Sequence, residues 1–146
     1  MVRIKHILVP TDLSVSSQAA FPYASSLALQ HKADVVLAYV MEPTPILAIH
    51  ALDLSTQLFE KRMLAEAEKS IRRIARKFGR KIKVNAVVRR GNVADQILAV
   101  AKAKKVDFIV MSTHGRSGVR HMLLGSVAEK IVRRAACPVL AVKPTK

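Results

Sequence analysis

Met111-Ser112-Thr113-His114-Gly115-Arg116-Ser117-Gly118-Val119-Arg120-His121-Met122-Leu123-Leu124-Gly125-Ser126-Val127-Ala128-Glu129 leaves an apolar run and ends in a helix signal. Ser126 and Glu129 have capping-box spacing, which predicts that the Ser126 hydroxyl accepts from the Glu129 amide while Glu129 reaches back. A strand passing through glycines into a helix is half of a parallel α/β unit, and such a helix start offers unpaired amides and a positive dipole end to an anion. Gly115, Gly118 and Gly125 let backbone approach a ligand closely or take positive φ, and Arg116, Arg120 and His121 add donors for phosphate oxygens. Spacing alone leaves two readings level, phosphate binding or glycines that merely turn the chain ahead of a helix. There is no Gly-Lys-Ser/Thr, so this is not a P-loop, and Pro10-Thr11-Asp12 lacks the glycines of a dinucleotide fingerprint.

The flanking segments alternate in kind. Ile4 to Val9, stopped by Pro10, and Asp34 to Val40, dense in β-branched residues, read as buried parallel strands. Between them Ser14 is a candidate N-cap, Ala20, Ala24, Leu27 and Ala28 recur at helical spacing, and Pro22 predicts a kink or a late start. A loop follows Met41-Glu42-Pro43-Thr44-Pro45. Next comes a long helix through Leu64, Ala67, Ile71, Ile74 and Phe78, closed by Gly79. Ile82 to Val88 reads as a third strand, Asn92 to Ala103 as a helix capped by Asn92, Val106 to Met111 as a fourth strand and Pro138 to Val142 as a fifth. Right-handed crossovers then give a single domain over residues 1–146, with a parallel sheet covered by helices on both faces.

A chain of 146 residues, 51% hydrophobic, can bury one core without metals or cross-links, and Cys137 is alone. No stretch reaches the roughly 20 apolar residues of a membrane span, and the start shows no export signal, so a cytoplasmic location with no membrane partner is expected. The net charge of +15 attracts anions in general. Aromatics make up only 4% and do not interleave with the basic residues, so nucleic acid, suggested by charge alone, is not the expected partner. No Ser/His/Asp set, paired carboxylates or metal cluster stands out, which argues against an efficient enzyme.

Val9-Pro10-Thr11-Asp12, His114-Gly115-Arg116-Ser117-Gly118, Leu123-Leu124-Gly125-Ser126-Val127-Ala128-Glu129-Lys130 and Cys137-Pro138-Val139-Leu140 together resemble the universal stress protein family along the whole chain. Its ATP-binding branch carries Gly, two residues, Gly, nine residues, then Gly-Ser or Gly-Thr. Here Gly115 and Gly125-Ser126 match, and Ser112 stands where the first glycine belongs. Serine puts a Cβ and hydroxyl in that space, yet it can itself donate to a phosphate oxygen.

The resemblance implies a three-layer, doubly wound, five-stranded sheet of order 3-2-1-4-5, the adenine nucleotide alpha hydrolase-like fold, with ligand at the switch point. It further implies ATP, with magnesium, as the ligand. Asp12 would accept the ribose hydroxyls, backbone at Val40 and Met41 would read adenine, and Pro10, Thr11 and Met111 would shape the pocket. Ser112, Gly115, Arg116, Gly125, Ser126 and Val127 would surround the phosphates. The family's homodimer implies antiparallel pairing of Val139, Leu140, Ala141 and Val142 with a second copy.

Bland readings stand beside these. Asp12 can simply cap the next turn, His114 reads as a solvated loop residue without a catalytic role, and Cys137 reads as a small core residue. Arg62, Lys69, Arg72, Arg73 and Arg76 read as a solvated helix face. The expected function is regulatory uptake of adenine nucleotide in a stress response. The alternative is a nucleotide-independent dimeric stress or scaffold protein acting through its basic surface.

Overall fold

The computed structural model describes residues 1–116, 121 and 123–145. Its five strands are β1 (His6–Pro10), β2 (Asp34–Met41), β3 (Val84–Arg90), β4 (Phe108–Ser112) and β5 (Val139–Val142), all parallel in the order β3-β2-β1-β4-β5. The described residues form five α-helices, α1 (Phe21–His31), α2 (Pro45–Ile49), α3 (Leu54–Ala75), α4 (Val93–Ala103) and α5 (Ser126–Arg134), of which α1 and α3 cover one face of the sheet and α4 and α5 the other.

Period-two alternation divides the strand side chains between two layers. Ile7, Val9, Val35 and Leu37 face one side, against Phe21, Ala24 and Ala28 of α1 and Ile71 and Ile74 of α3. Leu8, Val36, Ala38 and Val40 face the other, against Ile97 and Val100 of α4 and Ala128 and Ile131 of α5. Every ion pair among the described residues has a partner more than half exposed. Such pairs contribute about 0–1 kcal/mol each, so the two apolar layers hold the fold.

Local chemistry explains where the sequence-based boundaries move. Pro22 falls in the first turn of α1, where its missing N–H costs nothing, and a short 3-10 turn, Ser16–Ala20, precedes it: the late start. Ser14 is not the N-cap expected: Val15 holds that place with no side-chain cap, and Ser14 Oγ, one residue ahead, accepts from Ser17 N at 3.2 Å. Asn92 caps α4 as expected, accepting from Asp95 N at 3.1 Å. The long helix begins at Leu54, well before Leu64, because Asp53 caps it through Ser55 N. Ile82 is buried but precedes the paired residues, and β3 runs from Val84 to Arg90 because its pairing with β2 continues as far as Met41. The loop after Pro43 contains α2, capped by Thr44 and carrying Pro45 in its first turn.

Candidate functional site

Topology leaves a gap at the C-terminal edge of the sheet. β1 and β4 are neighbours whose connections leave in opposite directions, the place where ligands bind in open α/β sheets. A cavity of about 590 Å³ opens there. Pro10, Thr11, Asp12, Val40, Met111, Ser112, Gly115, Arg116, Gly125, Ser126 and Val127, gathered from four separate segments, all line it.

Met41 does not. Its carbonyl accepts from Gly91 N at 2.9 Å on the β3 side, whereas the Ala38 carbonyl accepts from Thr11 N at 2.9 Å on the β1 side. Peptide groups alternate along a strand, so those of Val40 point toward β1 just past the residue where β1 stops pairing. That alternation directs the Val40 amide and carbonyl at the crevice, past the last residue of β2 that pairs with β1.

Asp12 ties the two sides of the crevice together. Oδ1 accepts from Ser14 N at 2.9 Å and from the Ser14 hydroxyl, while Oδ2 accepts from Arg116 N across the cavity. The capping alternative for Asp12 is therefore realised, and three donors leave about one of its four acceptor sites. Burial alone would raise its pKa. The Ser14 hydroxyl, the amides of Ser14 and Arg116 and the Ser17 hydroxyl outweigh it and hold the carboxyl below its ordinary 3.8, so it is anionic at neutral pH. Leu13, in the turn that Asp12 closes, takes φ 68°, a left-handed conformation costing a leucine about 1 kcal/mol.

Gly115 and Gly125 are small because of the protein itself. A Cβ on Gly115 would collide with Asp12 Oδ2, and one on Gly125 would lie 2.8 Å from the Thr113 carbonyl. Neither takes positive φ. Gly125 N donates to that same carbonyl at 2.8 Å, which brings the start of α5 hard against the end of β4.

The capping box at Ser126 does not form. Gly125 is the N-cap, its carbonyl accepts from Glu129 N at 2.9 Å, and no side chain caps the helix. Glu129 pairs instead with Arg133. Glycine's close approach to β4 moves the helix start one residue ahead of the serine, and Ser126 becomes the first helical residue. The first turn of α5, whose amides have no intrahelical partner, consequently lines the cavity through Ser126, Val127 and Ala128.

Ser112 lines the cavity with its hydroxyl engaged inside the protein: its Oγ donates to the His114 carbonyl at 2.9 Å, and the residue is 7% exposed. His114 is not the solvated residue expected. Nδ1 meets Thr113 Oγ1 at 2.9 Å, and Nε2 is buried without a partner among the described residues. His121 is exposed and does not line the cavity, and Ser117, Gly118 and Arg120 lie outside the described residues.

Sequence reasoning missed Ser17, Tyr39, Glu42, Val93, Ile97 and Thr113 in the wall. Val93 and Ile97, one turn apart at the start of α4, carried a signal in their spacing; the others carried none. Cys137 is partly buried against the second core layer, and burial with the Asp107 charge pushes its thiol up, which disfavours the thiolate. Among the described residues no three His, Cys, Asp or Glu side chains cluster as metal ligands, and no helix is long and apolar enough to cross a membrane.

Comparison with known proteins agrees with this architecture. The family model described as "Universal stress protein family" matches residues 3–143. A universal stress protein of Methanocaldococcus jannaschii is 36% identical over 145 residues, covering 97% of this chain and 84% of that one. The solved structure published as a structure-based assignment of the biochemical function of a hypothetical protein superposes with a TM-score of 0.87 at 26% identity, covering 99% of each chain. A universal stress protein in complex with cAMP shares the fold, with a TM-score of 0.66 at 24% identity over 99% of this chain and 100% of that one. With the strand order, the crevice and the family match in agreement, the chain belongs to the universal stress protein family.

Proposed function

We propose that this protein binds ATP, or another adenine nucleotide, in the crevice between β1 and β4 and acts as a regulatory stress-response protein rather than an efficient enzyme. The observation that carries the reading is the convergence on one cavity of an unpaired backbone edge at Val40, an anionic Asp12 and the open N-terminus of α5. These suit, in order, a base that both donates and accepts along one edge, a ribose diol and a phosphate chain. A cavity of about 590 Å³ lies within the usual range for small-molecule sites. That a protein of the same fold is described with cAMP bound supports the class of ligand.

Asp12 is already engaged, so a ribose hydroxyl would exchange with the Ser14 hydroxyl or the Arg116 amide. Nucleotide uptake would then be felt in the loop after β4. Magnesium would arrive on the triphosphate, held by phosphate oxygens and water. The test is chromatography of the denatured, freshly purified protein together with equilibrium dialysis against ATP. Released adenine nucleotide or saturable uptake is expected, and neither at millimolar ATP would defeat the reading.

We further propose a homodimer through β5. Pro138 O accepts from Ile109 N and Val142 O from Thr113 N, so the even-numbered residues face β4. Val139 and Ala141 therefore turn their amides and carbonyls outward from the sheet edge, open to a second copy. Ala141→Pro removes an outward N–H without touching the bonds to β4, and sedimentation should report a shift from dimer to monomer with the fold intact. A dimer that withstands the substitution would point to another surface.

A further inference from the structure

The hairpin formed by α2 and the start of α3 carries its apolar side chains outward. α2 buries none of its residues. Ile46, Ile49, Leu52, Leu54, Leu58 and Phe59 are 72, 79, 96, 68, 50 and 50% exposed, six large hydrophobics at least half bare within one short stretch. Scattered exposed leucines need no explanation, but a concentration of this kind marks a surface that meets something apolar. The turn is built to present it: Asp53 N donates to the His50 carbonyl at 2.9 Å, and the Asp53 carboxylate accepts from Ser55 N and from the Ser55 hydroxyl.

Behind this tip the surface is basic. Residues 54–90 hold twelve lysines and arginines against three glutamates, nine of the chain's fifteen net positive charges. Arg73, Arg76, Arg80 and Lys81 are exposed and have no acidic partner among the described residues.

We infer that the hairpin docks on an anionic lipid bilayer, the apolar tip entering the headgroup and acyl boundary and the basic stem lying against the headgroups. Apolar insertion plus cationic flanks is the combination such surfaces select, and peripheral attachment of this kind needs no membrane span. A nucleic acid would use the stem but gains nothing from aliphatic side chains in the tip, and the stretch offers one aromatic ring for stacking. A second copy would bring an equally basic stem against the first. The β5 dimer leaves the tip bare, since β3, against which α3 packs, is the opposite edge of the sheet. The inference stands apart from the nucleotide reading.

The experiment is flotation of the full chain with vesicles of phosphatidylcholine alone and of phosphatidylcholine with about one-third phosphatidylserine, in the absence of nucleotide. Binding to the anionic vesicles is expected, weaker by about tenfold or more on the neutral ones. The double substitution Leu52→Ser with Leu58→Ser should cut binding about tenfold while leaving the melting temperature unchanged, and Arg73→Gln with Arg76→Gln should do the same. Absence of binding to anionic vesicles, equal binding to both kinds, or binding indifferent to the leucine substitutions would overturn the proposal. Dissociation of an oligomer by the leucine substitutions, without lipid binding, would assign the tip to self-association instead.

Discussion

Two regions near the C-terminal rim of the sheet invert the usual rule in opposite ways. The crevice between β1 and β4 takes polar side chains inside: Thr11, Ser17, Ser112 and Thr113 are all buried. The α2–α3 hairpin leaves apolar side chains outside. In the crevice the buried polar groups are matched within the protein, Thr11 Oγ1 with Ser17 Oγ at 2.7 Å and Ser112 with the His114 carbonyl. What remains unmatched there among the described residues is the Val40 backbone edge, the start of α5 and His114 Nε2. The contrast locates function by what is left over: hydrogen-bonding capacity in one place, apolar area in the other.

The substitution expected to do most damage to this contrast is Asp12→Ala. It strips acceptors from Ser14 N, the Ser14 hydroxyl and Arg116 N, so stability should fall by about 1–3 kcal/mol, seen in urea melts. Nucleotide affinity should fall by about a hundredfold, the loss of a charged hydrogen-bonding group at the ribose. The hairpin pair Leu52→Ser with Leu58→Ser should leave both quantities unchanged, within about 0.5 kcal/mol in stability. If the hairpin pair weakened nucleotide binding as well, the two regions would not be separate.

Gly125→Ala comes next. Its Cβ would lie 2.8 Å from the Thr113 carbonyl, so α5 must move away from β4, at a cost of about 1–3 kcal/mol. Affinity should drop with it, because the displaced amides are those that would meet phosphate. Unaltered ATP affinity in a folded Gly125→Ala would place the ligand elsewhere.

Asp12→Asn sharpens the electrostatic side. A carboxyl depressed by folding contributes stability that is fully present above its unfolded value, ordinarily 3.8, and lost as pH falls through the lower folded value. The melting-temperature gap between the parent and Asp12→Asn should therefore be constant near neutral pH and close from about pH 4 downward. A gap that persists in acid would mean the charge is not what holds the two loops together.

The smallest effect is expected from Ser112→Gly. The hydroxyl is engaged by the His114 carbonyl rather than aimed at the ligand, so ATP affinity should stay within about threefold, less than 1 kcal/mol. A large gain would mean that the side chain obstructs the phosphates after all.

Much of this was legible in the residues. The strand segments, the Asn92 cap, the late helix start that puts Pro22 in the first turn and, through the family resemblance, the order 3-2-1-4-5 all appear in the structure. The start of α3 was hidden because Leu54, Leu58 and Phe59 face solvent and spoil the apolar period that marked Leu64 onward. The helix start at Ser126 was displaced by a contact invisible in sequence, Gly125 against the Thr113 carbonyl. Eleven of the twelve residues assigned to the nucleotide pocket line one cavity; Met41 was lost because strand parity decides which backbone groups face the gap, and parity depends on pairing. His114 Nε2 could not be found without the burial that strands it.

The most direct test of the central claim is calorimetric titration of the parent protein and Asp12→Ala with ATP and magnesium, with GTP as the comparison nucleotide. One saturable site for ATP in the parent, tighter than for GTP and weakened about a hundredfold in Asp12→Ala, is the expected result. No heat of binding at millimolar ATP, or equal binding by parent and variant, would contradict it.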